Sequence, residues 1–534
     1  MRFTLFTETM GGSSKVVVDG LTSSWRSGDQ VWVNGVTGTV ALDDAGDPKL
    51  TVNVDNWDGN YYAAYPASMV TGSGQNSVLS VTLPQAYQYR EDATTHQQLL
   101  EMPMVACTGN DRITFKHLTG ALVVQVPHAE NNIVLDYVMV QSSTSALSGT
   151  GTVNAGADSP QVTFGADTTH TVVMYFDECP VVIQSNASTT KDIMIPIAPT
   201  TGEGHRFTVT VCAHTRNGLL QYYLYNNKSR SGNISRNEVA VAPVPNLPQG
   251  VFVGDGNSTT PYLIQNKEDY KRFLKYVSIN EVNDKCFSLV NDIDFYGDTI
   301  VLVVTQNVIR KFYGKFNGNG KRLKNVSVQG FTTVDQGVSR HYLSLFPALS
   351  GGVVRNLYIS EVNLLSPQGG NLRTVYAGGF TFHVEAYSDG VLLENIQVSN
   401  ISFGYPSTSP STSNVVMGGI VGNLIENTAG SLTMSSCRFD QPATKEYYIS
   451  SKASTLYWGG LIGMADDADV TLAECQVGFG GSQQTTGTTV NSSASTLNYV
   501  GGAIGKSTNN TIQISTSLQL KGHIQFIGRN NNSV

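Results

Sequence analysis

Along the first 245 residues, apolar and polar positions alternate in short runs broken by Gly, Asn, Asp and Ser. Lys15–Val18, Gln30–Val33, Leu50–Val54 and Ile113–Phe115 are examples, and such period-two alternation predicts half-buried strands. No segment of this half keeps a helical spacing. A proline-rich stretch follows, Ala242-Pro243-Val244-Pro245-Asn246-Leu247-Pro248. Proline removes a ladder donor and favours extended chain, so residues 242–249 are expected to form a linker between domains. Just beyond it, Tyr270, Phe273, Leu274 and Val277 fall at i, i+3, i+4 and i+7. With Asn266 placed to cap and Asp269 three residues later, this spacing predicts a helix over 267–277.

The remainder carries an internal repeat. Gly-Gly pairs stand at 378/379, 418/419, 459/460 and 501/502, spaced by 40, 41 and 42 residues. Three extend to Gly418-Gly-Ile-Val-Gly422, Gly459-Gly-Leu-Ile-Gly463 and Gly501-Gly-Ala-Ile-Gly505, while the first reads Gly378-Gly-Phe-Thr-Phe382. Between them runs apolar-x-Asn-apolar-x-apolar, centred on Asn325, Asn356 and Asn395, with Ser436 and Glu474 in two later copies. Repeats of this length with short strands cannot bury a core singly but can by stacking. The expected architecture is a parallel, right-handed β-helix with about two turns per repeat, its glycines at sharp corners. Asn325, Asn356 and Asn395 are expected to stack as a ladder whose amides satisfy turn backbone groups. Aligning the copies places Cys437 and Cys475 in the slot of Val326, Leu357 and Ile396, as core residues. The helix should cover the open end of the first coil.

Composition narrows the function. The chain has 534 residues, room for about three or four domains at the usual size. Only 14% of residues are charged and 53 are glycine, which suits an all-β protein and excludes a coiled coil. A net charge of −8 with no basic stripe argues against nucleic acid as a partner. No apolar run approaches the roughly 18 residues of a spanning helix. Met1-Arg2-Phe3 leads straight into a strand pattern, with neither a signal peptide nor a lipidation cysteine. An exported form is therefore expected to have carried its targeting segment upstream.

Candidate chemistry is sparse. Six scattered cysteines and nine dispersed histidines offer no zinc or redox motif and no catalytic signature, so neither metal, cofactor nor enzyme activity is expected. Asp466-Asp467, with Asp469 beside them, resembles the paired carboxylates of β-helix glycosidases, but a solvated corner explains it more simply. Asn291-Asp292-Ile293-Asp294 has oxygens suited to calcium, with backbone capping as the plainer reading. Asp255-Gly-Asn257 reads as a turn, and Trp57, Tyr61, Tyr62 and Tyr65 as structural. Two residues before each Gly-Gly stand Tyr376, Val416, Tyr457 and Tyr499, with Trp458 after Tyr457. Stacked coils would align them on one face. Tyr376, Tyr457, Trp458 and Tyr499 are therefore candidate ligand-binding residues, either as an exposed ring platform for sugars or partner surfaces or as core filling.

Two resemblances follow from longer motifs. Gly254-Asp-Gly256-Asn-Ser-Thr-Thr-Pro261-Tyr262-Leu-Ile264, then a helix, then Leu289-Val-Asn-Asp292-Ile-Asp294 and Phe312-Tyr-Gly314-Lys-Phe316-Asn-Gly318 resemble the opening of GLUG-motif β-helix domains. The Gly-Gly repeats are similar to the GLUG motif itself. The first half resembles the fimbrillin-like proteins of Bacteroidetes bacteria. The matching stretches are Trp25-Arg-Ser-Gly28-Asp29-Gln-Val-Trp-Val-Asn34-Gly35, Tyr65-Pro66-Ala-Ser68, Val81-Thr-Leu-Pro84 and Pro103-Met104-Val-Ala106. They continue through Phe115-Lys-His-Leu118-Thr-Gly-Ala121-Leu122-Val-Val-Gln-Val126, Leu147-Ser-Gly149 and Ile234-Ser-Arg236-Asn237. These resemblances imply two consecutive β-sandwich domains, 1–126 and 127–245, followed by a GLUG-repeat β-helix over 246–534. They imply an exported outer-membrane lipoprotein displayed at the cell surface or fimbrium, with the sandwich half for assembly or anchoring and the β-helix presenting a binding surface. Partners would be other fimbrial subunits or surface proteins, and a glycan or host protein. The alternative is a polysaccharide-binding or polysaccharide-degrading β-helix protein.

Overall fold

The computed structural model describes residues 1–8, 11–12, 25–73, 76–94, 97–216, 222–279, 282–302, 304, 308–365, 372–387, 389–404, 412–426, 430–441, 446–449, 455–479, 488–492, 497–509, 511–522, 524–527 and 532–533. The chain forms two compact units, Met1–Val251 and Phe252–Val534.

In the first unit, strand alternation is built into a closed barrel. Arg2–Thr7 pairs with both Arg112–His117 and Pro48–Thr51, and Met104–Thr108, Tyr61–Tyr65, Gln30–Val33 and Val36–Leu42 complete the ring. One face of these strands fills the interior, with Phe3, Leu5, Val31, Val33, Ile113 and Phe115 buried together. The opposite face is covered as well: Trp32, Tyr62, Ala64 and Val105 pack against Leu79, Val81, Leu83 and Val153 of a separate four-stranded sheet. Trp57, Tyr61 and Tyr65 belong to these two cores, which accounts for the aromatic group as structural.

The pairing does not resolve into two successive sandwiches. The first is replaced by the closed barrel, and strands on either side of residue 126 are interleaved. Gly120–Val126 pairs with Lys191–Ile197 and Glu238–Pro243, and Val78–Leu83 pairs with Ser148–Asn154. The sheet carrying Leu122, Val124, Ile193, Ile195 and Ala240 shares one core with Ile133, Val138, Val140, Val172, Val209 and Val211 of a facing sheet. Residues 242–249 also depart from a free linker. Ala242, Val244 and Leu247 are buried in this core, and Pro243 ends a strand paired with Gln125.

The second unit is a parallel β-solenoid preceded by a helix, Lys267–Ile279. The Asn266 side chain accepts from the amides of Glu268 and Asp269 at 2.9 and 3.1 Å, and Asp269 accepts from Gln265 N at 3.0 Å, a reciprocal cap. The apolar stripe turns inward: Phe273 meets the rings of Phe287, Phe312, Phe316 and Phe346 on successive coils. Buried charge on the helix is paired, Arg272 with Asp269 at 2.8 Å and Lys267 with Asp298 at 2.8 Å.

Strand partners fix the coil length. Val353 lies beside Leu392, then Thr433, Thr471 and Gln513 in successive pairs, 39, 41, 38 and 42 residues apart. Each repeat therefore makes one turn, not two. Two corner columns hold residues at positive φ. Asn356, Asn395, Ser436 and Glu474 form one, with φ between 52° and 54°; Asn325, Glu361 and Asn400 form the other. Asn325 thus sits a corner away from Asn356, and Val326 pairs with Val362 rather than Leu357. Asparagine suits these corners because it tolerates the left-handed region. The ladder that does form is amide to amide, Asn395 Nδ2 donating to Asn356 Oδ1 at 3.0 Å, rather than amide to backbone. Leu357, Ile396, Cys437 and Cys475 share one interior column, and all are fully buried. Burial pushes the Cys437 thiol well above its usual range.

Candidate functional site

The Gly-Gly corners explain where the tyrosines lie. A Cβ on Gly418 would sit far inside contact with the Val421 carbonyl oxygen, and one on Gly459 would do the same to Ile462. The chain turns so tightly that only hydrogen fits. Corners also stack through the backbone, with Gly379 N donating to Gly418 O at 3.2 Å and Gly419 N to Gly459 O at 3.0 Å. This register holds the strands before the corner in a parallel sheet, aligning Tyr376, Val416, Tyr457 and Tyr499 as direct neighbours.

The column starts one coil earlier than the glycines suggest. Tyr342 pairs with Tyr376, and their rings stack at 5.4 Å and 14°, with Phe331 stacked on Tyr342 at 5.3 Å. Sequence reading missed Tyr342 because Ser344-Leu345 replaces the Gly-Gly pair that marked the other copies. At the other end Tyr457 and Tyr499 stack at 5.1 Å and 13°, while Val416 leaves a rung without a ring. Tyr376, Tyr457 and Tyr499 are half-buried.

Trp458 is the exception among the candidates. It is 0% exposed and its strand neighbour Tyr457 points the other way, since successive side chains alternate across a sheet. Its column partners Met417 and Ala377 are buried too. Trp458 is a solenoid core residue and offers no ring to a ligand.

After the corner, His383, Asn423, Met464 and Lys506 form one column, with Asn423 buried and its amide 3.3 Å from His383 Nδ1. Lys506 Nζ lies 5.2 Å from the Tyr457 ring centroid, a cation over an aromatic face. Burial raises the Tyr376 hydroxyl above its usual range, opposed by the nearby Arg340 and reinforced by Asp466. Burial also raises Tyr457, with Tyr499 adding to it. His383 is pushed down by burial, against the pull of Glu385. The arrangement can hold a ring or apolar edge against tyrosine faces and hydrogen-bond its polar groups.

The other candidate chemistry is taken up by turns. Asp467 occupies a positive-φ corner and Asp469 accepts from Thr511 N at 3.0 Å. Asp292 accepts from Arg322 N and Asp294 from Tyr296 N, both at 2.8 Å, so these carboxylates cap backbone. Asn257 accepts from the amides of Thr259 and Thr260 at 2.9 and 2.8 Å. Among the described residues no group of three or more His, Cys, Asp or Glu is placed to hold a metal ion.

No family model matches the chain, and no curated protein does. Among solved structures, it is similar to a candidate cell adhesion protein from Bacteroides ovatus at 14% identity, covering 47% of this chain and 95% of that one, with a TM-score of 0.28. A candidate cell adhesion protein from Bacteroides uniformis gives 14% identity, 47% and 96% coverage, and a TM-score of 0.25. A candidate immunoglobulin A1 protease from Bacteroides ovatus gives 15% identity, 53% and 88% coverage, and a TM-score of 0.21. Likeness at this level extends to neither a shared overall fold nor a shared function.

Proposed function

We propose that this chain is a bacterial cell-surface adhesion protein whose solenoid presents the tyrosine column to a ligand and whose first unit serves assembly or anchoring. The observation that carries the reading is the column itself. Tyr342, Tyr376, Tyr457 and Tyr499 keep one register on one sheet, interrupted by Val416. Tyr342 is buried, while the half-buried rings of Tyr376, Tyr457 and Tyr499 supply contact area at little entropic cost, and repetition along the coils lets weak contacts add. The fimbrillin-like and GLUG resemblances support display at the surface, and a fimbrial role belongs to the same proposal.

The test is binding of the full chain to an array of glycans and immobilised host matrix proteins, wild type against Tyr457→Ala and Tyr499→Ala. The expected result is retained folding with a binding signal lost in both variants. Signals unchanged by either substitution would remove the column from the function.

A further inference from the structure

A second surface of the solenoid, on the sheet away from the tyrosine column, forms an open groove of about 700 Å³. Its floor is the outward column Cys286, Lys315, Val353, Leu392 and Thr433, which pair in sequence across five coil levels. At about 4.8 Å per level the groove runs roughly 19 Å along the solenoid axis. Three glycines keep one side low. Gly314 would carry a Cβ against the Lys285 carbonyl oxygen, and Gly352 and Gly390 stand at φ of 80° and 69°.

Tyr313 crosses this groove lengthwise. A Cβ on Gly351, one coil further, would collide with its ring, so the ring lies over that glycine. Its hydroxyl donates to Asp389 on the turn that opens the next coil. That bond, with burial and the charge of Asp284, raises the Tyr313 hydroxyl above its usual range. Asp284 and Lys315 face the groove with no hydrogen-bonding or ion-pair partner among the described residues. Ser431 and Thr433 add hydroxyls at the far end.

We infer that this groove binds a linear, hydroxyl-rich polysaccharide segment lying along the solenoid axis. Two carboxylates and two hydroxyls match a ligand rich in O–H donors, and a tyrosine ring matches the C–H face of a sugar. The mixed charge, two acids against one lysine, does not suit a polyanion. An extended peptide would dock by adding to a free strand edge, but the floor strands are paired on both sides. The site uses no residue of the tyrosine column and stands or falls apart from it.

The experiment is calorimetric titration of the full chain with cellohexaose, maltohexaose, xylohexaose and mannohexaose. At least one should bind, and Asp389→Asn and Tyr313→Ala should each weaken it tenfold or more. Should Tyr313→Ala alter the melting curve, Asp389→Asn decides. Absence of binding by all four hexasaccharides, or binding indifferent to Asp389→Asn, overturns the inference. Loss on Tyr457→Ala alone would instead place a sugar on the tyrosine column and leave this groove without a role.

Discussion

Replacing Trp458 with Ala removes an indole that is 0% exposed and packs within an interior column. Truncating a buried Trp costs roughly 3–5 kcal/mol, because the surrounding coil relaxes only partly into the cavity. Tyr457→Ala, one residue away, should cost only about 1 kcal/mol, the scale of a stacked aromatic pair. Denaturant titration of the two variants separates these values, and equal losses would contradict opposite-facing side chains. His341 gives a pH signature. Burial depresses its imidazole from 6.5 to about 4, with Thr332 Oγ1 2.9 Å from Nδ1. The unfolded chain therefore binds a proton near pH 6.5 that the folded chain refuses until about pH 4. This contribution is fully present above pH 6.5 and is lost as pH falls through that window, by roughly 3 kcal/mol in all. His341→Gln should flatten the stability profile between pH 6.5 and 4, and an unchanged slope would count against the burial.

At the level of the coil, one interior column can be followed through its exposure. Leu393, Met434, Leu472 and Ile514 occupy equivalent positions; Leu472 is 1% exposed and Ile514 54%. Leu472→Ala should therefore cost about 2–5 kcal/mol, and Ile514→Ala less than about 1 kcal/mol. Comparable losses at both positions would mean that the last coil is covered in solution. The helix at the other end depends on different physics. It is short, and its stability comes from Phe273 on the phenylalanine rings and from the Asn266 cap rather than from propensity.

For the whole chain, the division at Val251 predicts that fragments 1–251 and 252–534 each fold alone. A fragment stopping at 245 should be weaker than one stopping at 251. It lacks buried Leu247 and the bonds from Leu224 N to Pro248 O and Gly250 N to Tyr222 O, at 2.8 and 3.0 Å. Burial of one leucine is worth about 1.5–3 kcal/mol, so the shorter fragment should unfold at distinctly lower denaturant. Equal midpoints would restore residues 242–249 as a linker.

Strand periodicity, the capped helix, the repeat and the buried cysteines were legible because each rests on local chemistry: side-chain alternation, a side-chain cap, glycine sterics and column alignment. The candidate column was legible only in part. Tyr376, Tyr457 and Tyr499 share an offset from a motif, but Tyr342 follows no Gly-Gly pair and could be found only through strand register. The alternation separates Tyr457 from Trp458, yet which of them faces inward depends on how the coils close. Closure of the barrel depends on Arg2–Thr7 meeting a strand more than a hundred residues away, and no local pattern encodes that partner. The same holds for the turn count and for Asn325: copies that look alike in sequence occupy different corners once backbone pairing sets the register. By itself the sequence determined the elements and their repetition, since propensity and sterics act over a few residues. Tertiary structure alone decided partners, register and facing, because those follow from which distant strands exchange hydrogen bonds and which side of each is then shut from water.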